Sequence, residues 1–205
     1  MRKEHIPKDI NTENFVFFNQ LLSEFDAFPF FGTLLGMHRD NELIENDDDV
    51  DFYVNLKHRH SLVLKLQSRG LAVIHQKSVG SDAFFLQFSR KIGEFVCICD
   101  VYFYTEERGY ILERSNFGGE VSNWISDLKV KRELIFPLNS KSFHGTVVQF
   151  PSQPEKLVRY LYGSSWRKPL TKNTQYIVRV FFGRPIVFIG KTQMFAYRVL
   201  RKMFY

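Results

Sequence analysis

Cysteine is scarce in this chain. Cys97 and Cys99 are the two among 205 residues, and they stand one residue apart in an apolar stretch. Neighbours that close do not readily form a disulfide, and a lone Cys-x-Cys is poor evidence for zinc. A disulfide framework is therefore excluded, and two free, buried thiols in a reducing compartment are expected. Long apolar runs are missing as well. Nothing approaches the roughly eighteen consecutive apolar residues of a membrane span, and no early segment joins a basic start to an apolar core as a secretory leader does. Repeats and low-complexity tracts are absent. Acid is almost absent beyond Pro154: Glu155 is followed by a basic series from Lys156 and Arg159 to Arg201 and Lys202. Because the net charge is +6, the rest of the chain is net acidic. Such a tail attracts phosphate-bearing substrates or anionic surfaces.

What is present suffices for one sizeable core, since 44% of residues are hydrophobic and 22 are phenylalanine. Phe15, Phe18, Leu22 and Phe25 recur at helical spacing, which predicts a helix over Asn11 to Phe25 capped by Asn11 or Thr12. Phe28 to Phe31 reads as extended, Leu34 to Arg39 as a brief helix opened by Gly32-Thr33, and His60 to Ser68 as another helix ended near Gly70. Strands are expected at Val50–Val54, Leu71–His75, Phe84–Phe88 and Phe95–Tyr104, with a turn at Val79-Gly80-Ser81-Asp82. Short strands at Tyr110–Leu112 and Val147–Phe150 precede a helix over Gln153–Tyr162, started by Ser152 or Pro154. The alternation predicts an α/β or α+β fold around a mixed sheet flanked by helices.

Packing gives no reason for Asp47, Asp48, Asp49 and Asp51 to crowd the start of the apolar run Val50-Asp51-Phe52-Tyr53-Val54. In a strand Asp49 and Asp51 point the same way, roughly 6–7 Å apart along the chain. Two such carboxylates repel and hold a proton unless a cation sits between them. Oxygen ligands favour Mg²⁺ or Mn²⁺, each of which takes one or two protein carboxylates and fills its shell with phosphate and water. A solvated acidic turn is the bland alternative. Asp100 interrupts a second apolar strand, where it either pairs with a buried arginine or joins Asp49 and Asp51 as a third ligand. Gly32-Thr33-Leu34-Leu35-Gly36 supplies a backbone that can approach a phosphate, a hydroxyl and a helix N-terminus. Arg39 can hold a phosphate or neutralise Asp47 or Asp48. His38 either touches the same phosphate or serves the turn.

The segment Gly32-Thr33-Leu34-Leu35-Gly36-Met37-His38-Arg39, then Ile44, then Asp47-Asp48-Asp49-Val50-Asp51, resembles the LicD/fukutin family signature. Matching pieces follow in order at Cys99-Asp100-Val101-Tyr102-Phe103, Phe136-Pro137-Leu138, Phe143-His144-Gly145, Phe150-Pro151 and Tyr162-Gly163-Ser164-Ser165-Trp166. The resemblance implies a nucleotidyltransferase fold with a polymerase-β-like mixed sheet. It also implies a metal-dependent transfer of phosphocholine or a polyol phosphate from a CDP-linked donor to a glycan or lipid-linked glycan, with release of CMP. By the same resemblance Asp49, Asp51 and Asp100 hold the metal and carry catalysis, with Asp100 the best candidate for the base. Gly32, Thr33, Arg39 and Asp48 lie toward the donor. Two positions depart from the pattern. Glu45-Asn46 replaces the usual Pro-Trp before the acids, and Tyr104 stands near where a proline often follows the Asp100 strand.

Residues 1–169 are thus expected to form the catalytic domain. Residues 170–205 form a basic, aromatic extension that packs on the core or touches a membrane or partner. In the membrane version Val178–Ile189 joins Phe195, Val199, Leu200, Met203 and Phe204 in an amphipathic element. The expected location is cytoplasmic, with peripheral membrane contact open, and nucleic acid is not an expected partner. Two rival readings remain. A glycosyltransferase would use Asp49-Val50-Asp51 on a nucleotide-sugar, without needing Gly32-Thr33 or Asp100. A polyanion- or membrane-binding module would use the tail and leave the acids unexplained.

Overall fold

The computed structural model describes residues 6–79, 82–113, 128–169, 176–181 and 184–189. Its first helix, α1 (Lys8–Leu22), begins three residues earlier than the sequence pattern suggests. Pro7 occupies the cap position in an extended conformation, where a missing N–H costs nothing. Asn11 and Thr12 therefore do not cap the helix. Thr12 lies in the second turn and donates its hydroxyl to the Lys8 carbonyl at 2.7 Å. A 3₁₀ turn, Ser23–Phe25, follows and ends at Asp26, which adopts φ 52°.

Seven strands form one mixed sheet. They are β1 (Phe28–Pro29), β2 (Asp49–Asn55), β3 (Val73–Val79), β4 (Asp82–Ile92), β5 (Phe95–Glu107), β6 (Tyr110–Glu113) and β7 (Leu128–Lys131). The main order is β1-β2-β5-β4-β3, with β6 joining β5 and β7 joining β6. The central contact, β2 with β5, is parallel, while the remaining pairs are antiparallel. The alternation of Val50, Phe52 and Val54 against Asp49, Asp51 and Tyr53 sends the first set to one face and the second to the other. Helix α1 covers the first face: Phe15 stacks on Phe52 at 5.3 Å and meets Phe143 edge-on at 5.3 Å. Phe15 is wholly buried, so truncation to alanine would cost about 3–5 kcal/mol.

Helix α2 (Phe31–Arg39) lies on β2, α3 (Arg59–Ser68) follows β2, and α4 (Pro154–Tyr162) packs on α2. Gln153, rather than Ser152, precedes α4, with Pro154 at its first turn. A hairpin of β8 (Asn139–Phe143) and β9 (Thr146–Phe150) is tied to α1 by Asn19, which donates to the Thr146 hydroxyl and the Val147 carbonyl at 3.1 and 3.0 Å.

The expected mixed α/β architecture is therefore present. Within the tail, Tyr176–Phe181 (β10) and Arg184–Ile189 (β11) form an antiparallel hairpin, and β11 lies against α4 and β7. The expected turn residues Gly80 and Ser81, and the tail residues Phe195, Val199, Leu200, Met203 and Phe204, lie outside the described residues. No described helix is long and apolar enough to cross a membrane. Both cysteines are free and buried.

Candidate active site

The parallel register of β2 and β5 sets Asp51 opposite Asp100. Neighbouring strands lie about 4.8 Å apart, so two carboxylates stand side by side, 7% and 6% exposed. The antiparallel register of β4 then places Gln87 beside Asp100, and β3 places His75 beside Gln87. One row, Asp51–Asp100–Gln87–His75, thus crosses the sheet. Gln87 donates its amide to Asp100 Oδ1 at 2.8 Å.

Above this inner pair, carboxylate oxygens of Asp47, Asp48 and Asp49 lie within 4.8 Å of one another, each acid half-buried. The five acids thus fall into two groups. Asp47, Asp48 and Asp49 make an outer trio; Asp51 and Asp100 make an inner pair; Asp49 acts electrostatically on both inner acids. Burial pushes the Asp51 carboxyl well above the ordinary carboxylate range, and Asp49, Asp100 and Asp47 push it further. Burial raises Asp100 to about 7; the Gln87 hydrogen bond opposes that rise, Asp49 and Asp48 add to it, and Lys77 opposes it.

The turn into α2 faces these acids. Phe31 begins the helix at φ 43°, a conformation strained for a bulky residue. It is held there by edge-on contacts with Phe30, Tyr53 and Tyr102 at 5.0, 5.6 and 5.0 Å. The next N–H, that of Gly32, donates to the Asp51 carboxylate. Thr33 Oγ1 accepts from the Asp51 N–H at 2.8 Å. A β-carbon on Gly32 would sit 2.8 Å from Asp47 Oδ2, so glycine here makes room for an acid. Gly36 serves the fold instead, because its β-carbon would lie 2.6 Å from the Glu42 carbonyl and 2.9 Å from the Ile44 N. Arg39 directs its guanidinium at Asp40, with contacts of 2.7–3.0 Å. His38 stacks on Trp166 at 5.3 Å, which gives it a packing role. Asn46, one of the departures from the family pattern, adopts φ 64° just before the acids. Asparagine tolerates that conformation more readily than a bulky residue such as the tryptophan of the family pattern.

Three contributors were not visible as site residues. Asn11, buried within α1, donates its amide to the carbonyls of Asp47 and Asp49, both at 3.2 Å. Asn14, one turn on, donates to the Ile98 carbonyl at 2.9 Å. Together they pin the starts of the two acid-bearing strands to one helix. Gln87 is the third. Its strand pattern marks only a polar position, whereas its role comes from a register with a residue 13 positions away.

The donor set suits a hard divalent cation: the oxygens of Asp47, Asp48 and Asp49 lie within ligating reach of one another, and beside them stand two inner acids raised first by burial and then by neighbouring carboxylates. Acids on adjacent parallel strands of a mixed sheet are thus faced by the start of a helix that carries Gly32. Residues 25–153 match the LicD/FKTN/FKRP nucleotidyltransferase-domain family, and the chain belongs to that family. A lincosamide antibiotic adenylyltransferase, LnuA, in its lincomycin-bound crystal structure, is similar over 78% of this chain and 89% of that chain, at 13% identity and a TM-score of 0.45. Comparison with curated proteins gives no match.

Proposed function

We propose that the protein is a metal-dependent phosphotransferase that moves phosphocholine or a polyol phosphate from a CDP-linked donor to a glycan hydroxyl and releases CMP. The observation that carries this reading is the side-by-side pair Asp51 and Asp100 with Asp49 on the same face. Asp49, Asp51 and Asp100 are the acids that would hold Mg²⁺ or Mn²⁺, with Asp48 at the donor edge. When bound, the cation supplies charge neutralisation at the donor phosphates.

The chain's own groups account for the rest. Asp51 is oriented by the Gly32 N–H, and its backbone N–H is held by Thr33. The start of α2 offers a favourable dipole toward an anionic donor. By the family resemblance Asp100 is the best candidate for the base. It takes the proton from the acceptor hydroxyl as the acceptor oxygen bonds to phosphorus. The bond from that phosphorus to the CMP oxygen breaks, and CMP leaves with the electron pair.

Thermal melts of the protein with Mg²⁺ and a panel of CDP-linked donors test the substrate class. One CDP-linked compound is expected to raise the melting temperature in a Mg²⁺-dependent way, by mass action. Protection by nucleoside diphosphate sugars alone would favour the glycosyltransferase reading.

A further inference from the structure

We propose that Gln87 is the positioning residue of the third acid, Asp100. The two face each other across the β4–β5 ladder, and Gln87 Nε2 donates to Asp100 Oδ1 at 2.8 Å. A carboxylate oxygen accepts only, so the amide nitrogen must be the atom that faces it. The hydrogen bond assigns different duties to the two oxygens of Asp100. Oδ1 is held by the sheet, and Oδ2 is left to the acidic face that Asp100 shares with Asp49 and Asp51.

The residue type matters as much as the contact. An arginine at this place would orient Asp100 but neutralise the charge a cation needs. A glutamate would add a sixth carboxylate against five that already repel. An aliphatic residue would leave the buried acid without its hydrogen-bond donor. Glutamine orients without neutralising. Its half-buried position beside an acid only 6% exposed keeps water from competing for Oδ1. This inference rests on the reading of Asp100 as a metal ligand.

The test is a double-mutant cycle on Mn²⁺ binding to the full chain without donor, read from the electron paramagnetic resonance signal of free Mn²⁺. Loss of a residue that orients a metal ligand typically weakens the metal by about 10–100-fold. Gln87→Leu is expected to weaken Mn²⁺ about tenfold or more, Asp100→Asn at least as much, and the double variant no more than Asp100→Asn alone. That non-additivity is the signature of action through Asp100, and a purely structural residue would not produce it. If Asp100→Asn weakens Mn²⁺ while Gln87→Leu stays within about twofold of wild type, or if the two losses add, the role of Gln87 is refuted and the metal site stands. If Asp100→Asn itself has no effect, the site reading fails and the inference with it. Gln87→Met, of matching length, replaces the leucine variant in the cycle if the latter melts low.

Discussion

Replacing Asp100 with asparagine should make the metal-free protein more stable above neutral pH, while removing an acid the reaction needs. The carboxyl rises from an ordinary 3.8 to about 7 in the folded chain. The folded state therefore binds more protons than the unfolded state between those values, and stability falls as pH rises through that window. About three units at about 1.4 kcal/mol each gives roughly 4 kcal/mol lost by pH 8. Relaxation and water entry reduce this to about 2 kcal/mol as a working figure. Asparagine does not titrate and still accepts from Gln87. For a domain of this size about 2 kcal/mol corresponds to a gain of roughly 4–8 °C at pH 8.

The assay is thermal unfolding of both proteins in chelator at pH 5, 6.5 and 8. The difference between them is read, so that groups distant from Asp100 cancel; Asp51, which Asp100 pushes up, adds to the difference in the same direction. The advantage of the variant should grow with pH across the window, and Mg²⁺ at pH 8 should narrow or reverse it by stabilising wild type alone. An Asp100→Asn variant less stable than wild type at pH 8 in chelator would refute the electrostatic picture of the site. A difference independent of pH would refute it too.

The two glycines of the α2 turn should separate fold from function. Gly32→Ala presses on the end of a movable side chain, Asp47; melting should shift by less than about 1 kcal/mol equivalent, while Mg²⁺ titration shows weakened binding. Gly36→Ala presses on backbone and should cost about 1–3 kcal/mol in denaturant unfolding. Asn11→Ala removes both amide bonds to the acidic lip; a loss of about 1–3 kcal/mol, together with weaker Mg²⁺ protection, is expected in thermal melts.

Much of this site was legible because its logic is local. Asp49 and Asp51 sit at strand spacing, and Asp100 breaks an apolar run that has no packing use for a charge. The alternation of β2 predicted both the buried face and the acidic one. The parts that escaped are set by long-range register or by tertiary contact. Asn11 has the right chemistry for a helix cap, but Pro7 starts the helix earlier and releases the amide to hold Asp47 and Asp49. Gln87 acquires its partner only once β4 folds back on β5. The strand β8, Asn139-Ser140-Lys141-Ser142-Phe143, has a single buried residue at its end, so no hydrophobic alternation announced it. The contact of the Arg39 guanidinium with the adjacent Asp40 is likewise a matter of local side-chain geometry that the motif does not announce.

The most direct test of the account is the identity of the nucleotide released. Purified protein is incubated with Mg²⁺, the CDP-linked donor that protects it and a glycan acceptor, and the products are separated by chromatography. Release of CMP in step with acceptor phosphorylation is predicted, abolished by Asp49→Asn or Asp51→Asn without loss of fold. Release of CDP, or wild-type-like turnover by either variant, would contradict it.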